Sequence, residues 1–324
     1  MDSVYTTTIT NAAKSRGISV RVLDGNLPIF ELNHDNRSVR CYNGLTDRVG
    51  AATFHLANDK GAAHRFLKAN GLPVPAQEPY TTYDDAKKFL NRYKSVVVKP
   101  VSQWGARGIS THITTLAELR SAIVFARRYA TDVVLEECVK GVDYRLIFVD
   151  YTFVAAIERT PAAVTGNGID SIRKLITRKN IAARRIDPSN TVPLDKETKR
   201  CIESQGYLYT SVLPKGQALQ VRRTSNFHTG GSVEIITERA PQELRTLAGR
   251  VAALFQIPVV AIDFLVDQAA GEYRIIEVSP DMAISPPEGA VVAEAFLDML
   301  FPHTKPGEIR EPTIPAVEVA SQYA

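Results

Sequence analysis

Residues 259–279, VVAIDFLVDQAAGEYRIIEVS, decide the fold of this chain. Two apolar, β-prone runs, 259–266 and 273–279, flank the turn sequence DQAAGE and predict a β-hairpin. Asp263 and Glu277 lie inside these runs, where a buried carboxylate is costly unless a cation neutralises it. A small number of hard oxygen ligands is typical of magnesium that also holds phosphate. The hairpin therefore points to nucleotide chemistry.

The composition is that of a globular chain with room for two or three subdomains. Of 324 residues, 44% are apolar and 23% charged, which are ordinary shares. No apolar run approaches the roughly 20 residues that cross a bilayer, and the first ten residues do not resemble a signal peptide. Cys41, Cys138 and Cys201 lack metal-ligand spacing and indicate free thiols in a reducing compartment. We expect a cytoplasmic protein without a membrane partner.

The net charge gives no indication of a nucleic-acid partner. A formal charge of +4 is mild, and the chain has neither a basic stripe interleaved with aromatics nor a zinc or RNA-binding signature. The basic segment 177–185 either holds an anionic substrate or belongs to a solvated surface. We therefore do not expect nucleic-acid binding.

Periodic segments predict a mixed fold. The expected helices are 1–16, 59–70 capped by Asn58 and ended by Gly71, 116–130 opened by a Thr115–Glu118 capping box, one helix near 170–180 in an irregular excursion over 160–230, 241–255 and 288–300. The expected strands include 18–23, a hairpin around NHDN (33–36), 95–100, 132–139, 142–150 and 152–159. Because strands and helices do not alternate strictly, we expect α+β or mixed α/β layers.

Two further segments suit phosphate and nucleoside binding. Lys99 ends a strand ahead of a loop with Gly105 and Gly108, and a bare backbone with a lysine can approach phosphate closely. The loop matches neither GxxxxGK[ST] nor GxGxxG, so a surface turn is the alternative. The segment VLEECVKGVDYR (134–145) could present backbone groups to an adenine edge, with Asp143 accepting from a ribose hydroxyl. A solvated hairpin is the alternative there.

A basic, glycine-containing segment follows at 222–231. Arg222 and Arg223 beside the diglycine could clamp an anionic transition state, or form an exposed basic turn. His228 is interpreted as a substrate contact or a spectator. Without a GxSxG elbow or a local Cys–His pair, nucleophilic hydrolase chemistry is poorly supported.

Six ordered blocks resemble the ATP-grasp superfamily of carboxylate–amine ligases, in particular the ATP-grasp portion of cyanophycin synthetases and bifunctional glutathione synthetases. The blocks are 58–75, 97–110, 135–149, 159–176, 222–231 and 276–289. The resemblance implies the α+β ATP-grasp fold, in which two α+β subdomains clasp ATP. It implies a pre-ATP-grasp region at 1–75, a lid subdomain at 76–140, a C-terminal subdomain with the metal site at 141–301 and an extended tail at 302–324.

The resemblance also implies roles for individual residues. They are Lys60 and Lys99 at the phosphates, Glu136, Glu137 and Val139 at the adenine, Asp143 at the ribose, Gly105 to Gly108 as a mobile cover, Asp263 and Glu277 as magnesium carboxylates with Ser279 beside them, and Arg145, Arg159, Arg223 and Asn226 at the acyl phosphate or substrate carboxylate.

Two departures from the family pattern bear on function. Ser279 stands where the family usually has asparagine, and a hydroxyl is the weaker magnesium ligand. The following loop, PDMAISPPEG (280–289), lacks the usual proline–glycine turn, so the substrate stays open. Because the chain begins and ends close to the ATP-grasp portion, we expect a stand-alone module and do not expect polymer synthesis by the cyanophycin scheme.

The resemblance implies an ATP-dependent ligase that joins amino acids or a short peptide through an acyl phosphate, releasing ADP and phosphate. Magnesium is the expected metal, with manganese as an alternative. Homodimers are common in the family. Two other functions remain open: a non-catalytic ATP-binding module that regulates or scaffolds a biosynthetic partner, and a kinase-like phosphotransferase. The reaction products distinguish the ligase, the binding module and the phosphotransferase from one another.

Overall fold

The computed structural model describes residues 4–101, 107–185, 187, 189–281 and 288–305. The helices are α1 (Val4–Ser15), α2 (Ala51–Asn58), α3 (Lys60–Ala69), α4 (Tyr83–Tyr93), α5 (Leu116–Ala126), α6 (Ile172–Arg184), α7 (Lys196–Glu203), α8 (Gln242–Phe255) and α9 (Gly289–Leu300). The strands are β1 (Ser19–Val22), β2 (Ile29–His34), β3 (Arg37–Tyr42), β4 (Leu45–Thr46), β5 (Gln77–Pro79), β6 (Val96–Pro100), β7 (Ser110–Ile113), β8 (Val133–Glu137), β9 (Val142–Val149), β10 (Thr152–Thr160), β11 (Ala163–Thr165), β12 (Ala218–Gln220), β13 (Ser232–Ile235), β14 (Val259–Asp267) and β15 (Glu272–Ser279).

A five-stranded antiparallel sheet forms the centre, in the order β13-β10-β9-β14-β15. Both faces of β14 are covered, because Val260 and Ile262 pack in one apolar cluster with α8 while Val259 and Ala261 pack in another with α1 and α9. Side chains alternate across a strand, so a strand buried on both faces reads as a continuous apolar run. The predicted hairpin of β14 and β15 is confirmed, with Gly271 in the left-handed region at its turn.

The N-terminal part is a four-stranded sheet, β1-β2-β3-β4, preceded by α1. Phe30 of β2 and Ile9 of α1 are fully buried with Phe296 of α9. Arg16 joins the two ends of the chain by ion pairs with Glu294 and with Asp298 at 2.7 Å. The N-terminal sheet is thereby held against the central sheet through α9.

A second four-stranded sheet, in the order β5-β8-β6-β7, carries α4 and α5 on its apolar face. The Thr115–Glu118 capping box that opens α5 is present as predicted. Phe89 of α4 and Leu119 of α5 are buried in the shared core. The opposite face of this sheet is free to form one wall of a site.

Two helix predictions were wrong. Asn58 does not cap α3, because it ends α2, a helix that the sequence reading missed; Asp59 is the cap and accepts a hydrogen bond from the Ala62 N–H. The excursion over 160–230 holds α7 as well as α6, with a small core of its own around Ile176 and Ile202. In the described parts of the chain, no helix combines the length and apolarity that a membrane crossing needs.

Candidate active site

The central sheet places one arginine and two carboxylates in a row. Asp263 of β14 pairs with Glu277 of β15 on one side and with Arg145 of β9 on the other. The ladder shifts between Asp263 and Phe264, and this irregularity lies beside the acids, where bulges commonly re-aim side chains. The two acids predicted from the sequence therefore face one another across neighbouring strands.

Asp263 is neutralised by two guanidiniums. Arg145 donates to its carboxylate oxygens at 2.7 and 2.9 Å, and Arg159 of β10 contacts it at 2.8 Å. The side chain of Asp263 is 2% exposed. Burial alone would raise the pKa of Asp263, but Arg145 and Arg159 outweigh it and hold the pKa well below its usual range. This acid stays ionised at neutral pH, as a metal ligand must.

Asp143 shares Arg159 with Asp263. Arg159 donates to Asp143 Oδ1 at 2.6 and 2.9 Å. Burial raises the pKa of Asp143 to about 6, against the attraction of Arg159 and with added repulsion from Asp263. In this conformation the carboxylate is committed to an arginine, so a ribose hydroxyl would have to use its remaining acceptor capacity.

Two lysines reach the same region from opposite sides. Lys60, at the start of α3, forms an ion pair with Glu277, and this pair outweighs the effect of burial and lowers the pKa of Glu277. Lys99 of β6 contacts Glu136 of the neighbouring β8 at 2.6 Å, and both side chains are 7% exposed. Each lysine is therefore held by a carboxylate and points to a common space.

That space is a cavity of about 740 Å³ between the second sheet and the central sheet. It is lined by most of the predicted site residues: Lys60, Lys99, Glu136, Glu137, Val139, Asp143, Arg145, Arg159, Arg223, Asn226, Asp263, Glu277 and Ser279. Pockets for small ligands typically measure about 300–1,000 Å³, so this one has room for a nucleotide with a further substrate.

Of the two predicted glycines, only Gly108 is described, and it does not line the cavity. Gly105 lies outside the described residues. Gly108 is buried at φ +75°, and a Cβ there would come within 2.8 Å of the Tyr129 ring and 3.1 Å of Pro100. Gly108 is thus required for the turn and for its close packing, which needs no phosphate to explain it.

The proposed hinge is built around Glu137. The Glu137 N–H donates to the Ala76 carbonyl, and Glu137 Oε2 accepts from the Ala76 N–H. The Val139 N–H donates to the Glu137 carbonyl at 3.1 Å in a tight turn. The hinge lines the cavity, yet this Val139 N–H is already in use in the structure.

The basic segment 222–231 divides between the cavity and a neighbouring core. Arg223 lines the cavity and donates to the Ser204 hydroxyl at 2.6 Å, and Asn226 accepts from the His228 N–H at 2.7 Å. Arg222 is turned away: it is buried and contacts Asp195 at the start of α7. The suggested clamp of two arginines therefore reduces to Arg223, because Arg222 pairs with Asp195 outside the cavity.

Over 322 residues, the chain is 32% identical to a cyanophycin synthetase of Trichormus variabilis, covering 94% of this chain and 36% of that protein. It is 28% identical over 262 residues to the glutathione biosynthesis bifunctional protein GshAB of Streptococcus mutans, covering 78% of this chain and 34% of that protein. The chain thus spans about a third of the length of these curated relatives. No family model matches it.

Solved structures share the architecture. A bifunctional glutathione synthetase from Pasteurella multocida has a TM-score of 0.62 at 21% identity, covering 92% of this chain and 43% of that one. The D-alanyl-alanine synthetase A of Vibrio cholerae has a TM-score of 0.54 at 14% identity, covering 93% and 94%. The chain shares the ATP-grasp fold with these structures, and its sequence is similar to cyanophycin synthetases over 94% of its length. The predicted α+β ATP-grasp fold is confirmed.

The donor set of this ATP-grasp site suits a hard divalent cation. Asp263 and Glu277 offer carboxylate oxygens across two strands, and Ser279 follows on the same face of β15. Among the described residues, no three His, Cys, Asp or Glu side chains gather as a ready cage. Magnesium usually takes only one or two carboxylates and completes its shell with phosphate and water, so two acids and a hydroxyl fit it.

Sequence reasoning missed several residues that line the cavity or lie beside it. Tyr5 of α1 contacts His228 Nε2 at 3.1 Å, and Ser189 contacts His228 Nδ1 at 3.1 Å. Asp281 also lines the cavity, two residues beyond Ser279. Nothing in the sequence around Tyr5 signals the contact, whereas Asp281 continues the alternation of Glu277 and Ser279 and could have been found.

Proposed function

We propose that this chain is an ATP- and magnesium-dependent carboxylate–amine ligase acting on amino acids or a short peptide. A substrate carboxylate would attack the γ-phosphorus of ATP, and an amine would then displace phosphate from the acyl phosphate. The observation that carries the proposal is the single cavity that collects Lys60, Lys99 and the row Arg145, Asp263 and Glu277. The similarity to cyanophycin synthetases and GshAB proteins supports it.

The nucleotide would lie between the second and central sheets. Lys60 and Lys99 would contact its phosphates as fixed point charges. Glu136, Glu137 and Val139 would border the adenine, Asp143 the ribose, and the segment from Gly105 to Gly108 would cover the phosphates. Asp263, Glu277 and Ser279 would hold magnesium, or manganese, which when bound neutralises phosphate charge.

The arginines would bind the reacting anion. Arg145 and Arg159 use some of their five N–H donors on Asp143 and Asp263, so donors remain for a substrate carboxylate or an acyl phosphate. Arg223 and Asn226 would contribute from the opposite wall of the cavity. The chain's contribution is then positioning and charge compensation rather than covalent catalysis.

The proposed domain division keeps the boundaries of the sequence prediction: 1–75, 76–140, 141–301 and 302–324. The second sheet falls within 76–140 and would act as the lid, while the central sheet carries the metal site. All three cysteines are free, which supports a reducing compartment such as the cytoplasm.

An ADP-release screen tests the proposal. Pairwise mixtures of amino acids and dipeptides are incubated with ATP and magnesium, and positive wells are analysed by mass spectrometry. A ligase releases ADP only when carboxylate and amine are both present and yields a condensed product. A kinase leaves a stable phosphorylated product, and a binding module shows no turnover.

A pair of variants on one strand makes the screen specific to the site. Glu277→Ala should abolish turnover, whereas Glu272→Ala, at an exposed position of the same strand, should retain it. Unchanged turnover in Glu277→Ala would contradict the metal assignment.

A further inference from the structure

Asp281 is a partly buried carboxylate at the cavity that forms no ion pair with the described residues. It lines the cavity, and its Oδ1 atom is buried without a hydrogen-bond partner. Across the residues that the structure describes, no salt bridge reaches it, whereas Asp263 has Arg145 at 2.7 Å and Glu136 has Lys99 at 2.6 Å. A buried acceptor left unpaired in the free protein calls for a partner in another state.

The N-terminal part of the chain borders this carboxylate. The Asn43 side chain and the Gly44 N–H, at the connection between β3 and β4, lie near it. The amide of Asn43 is itself oriented by Thr6 of α1, whose hydroxyl donates to Asn43 Oδ1 at 3.1 Å.

Asp281 lies close in sequence to the two residues of β15 that are proposed to hold the metal. Glu277 and Ser279 belong to β15, Asp281 follows two residues after the strand ends, and all three line the cavity. A role as a third metal carboxylate is disfavoured, because Asp281 does not form a group of three possible ligands with Asp263 and Glu277 among the described residues. A ligand with N–H donors and positive charge is the chemistry that an unpaired carboxylate oxygen selects.

We infer that Asp281 binds the amine substrate in its ammonium form and thereby determines specificity for that substrate; the bound ammonium gives up one proton to solvent before its nitrogen attacks the acyl phosphate and phosphate leaves. The inference rests on the proposed ligase function. It predicts that removing the charge weakens binding of the amine alone, because the ATP and carboxylate sites are formed by other residues.

The test separates acyl-phosphate formation from amine binding. Hydroxylamine, which is uncharged at pH 8, traps an acyl phosphate as a hydroxamate without needing a site for a cation. In Asp281→Asn we expect hydroxamate formation within twofold of the unsubstituted protein, and at least a tenfold higher KM for the amine identified in the ADP-release screen. Asp47→Asn is the matched control, since this exposed carboxylate near the same turn accepts the Arg40 N–H and does not line the cavity.

The outcomes distinguish the two proposals. No hydroxamate with the unsubstituted protein overturns the ligase function and the inference with it. Hydroxamate in both proteins with an unchanged amine KM overturns the inference alone, as does a shift in magnesium half-saturation in place of the amine KM. Should Asp281→Asn fail to fold, inhibition of the unsubstituted protein by the hydroxyl analogue of the amine decides: a Ki equal to the amine KM overturns the inference.

Discussion

The stability of the central sheet depends on the negative charge of Asp263. Two guanidiniums with little solvent exposure converge on this carboxylate, and removing one partner of a buried pair is strongly destabilising. We expect Asp263→Asn to lower the free energy of unfolding by about 3–5 kcal/mol, measured by urea denaturation. Glu272→Gln, which breaks the exposed Glu272–Arg274 pair on the same hairpin, should cost at most about 0.5 kcal/mol. Equal stabilities of the two variants would contradict the ion-pair network.

His64 gives the stability of the protein a pH dependence. The residue is buried in α3, and its Nε2 lies 2.6 Å from the Pro75 carbonyl. Burial lowers the pKa of His64 below its usual value. Between the lowered and the usual pKa, His64 is therefore neutral in the folded protein but protonated in the unfolded chain. Its contribution to stability is complete above about pH 6.5 and is lost as the pH falls towards the lowered pKa.

The His64 prediction is tested by the slope of stability against pH. Between pH 7.5 and 5.5, the free energy of unfolding should fall less steeply in His64→Gln than in the unsubstituted protein, because glutamine can still donate to Pro75 but does not titrate. Other titrating groups cancel in this comparison. Parallel slopes would show that His64 takes up a proton equally in both states.

At the scale of single residues, the best indication of the site in the sequence was a residue type that is unusual for its surroundings. Asp263 and Glu277 stood out because a carboxylate in an apolar strand needs a partner, and the structure places both at one cavity. The partners themselves were not predictable. Arg145 and Arg159 come from β9 and β10, and which residues face Asp263 depends on a register that the local sequence does not contain.

Whole elements were predicted well where the local pattern is strong, whereas the short helices α2 and α7 were missed. The hairpin of β14 and β15 and the capped helix α5 have strong local patterns. Helix α7, KETKRCIE, contributes little apolar surface apart from Cys201 and Ile202. Short helices of this kind are stabilised mainly by caps and tertiary packing.

Removing the cap of α7 tests that explanation. Asp195 accepts from the Thr198 N–H at 2.9 Å and also pairs with the buried Arg222. Asp195→Ala should therefore raise amide hydrogen exchange in α7 and lower stability by about 1–2 kcal/mol. Ser171→Ala, which removes only a cap at α6, should leave exchange in α7 unchanged. Unaltered protection of α7 in Asp195→Ala would mean that packing alone maintains the helix.

Across the whole molecule, the cavity joins parts of the chain that have separate cores. Lys99 belongs to the second sheet and Asp263 to the central sheet, while Tyr5 of the N-terminal part borders the same space. A nucleotide that contacts both sheets binds the folded chain only and should stabilise it as one unit. At 100 times its Kd, a non-hydrolysable ATP analogue with magnesium adds about 2.7 kcal/mol, or about 4 °C in Tm for a chain of this length.

The size of this ligand-induced shift, rather than the Tm itself, is the informative quantity. Lys99→Ala removes the ion-pair partner of Glu136 and will lower Tm without ligand, but it should also remove most of the increase that the analogue causes, because the proposed phosphate contact is lost. Lys88→Ala, at an exposed position of α4 that pairs with Asp85, should keep the full increase. If thermal scanning gives the same increase in both variants, the nucleotide binds elsewhere and the two sheets do not meet through it.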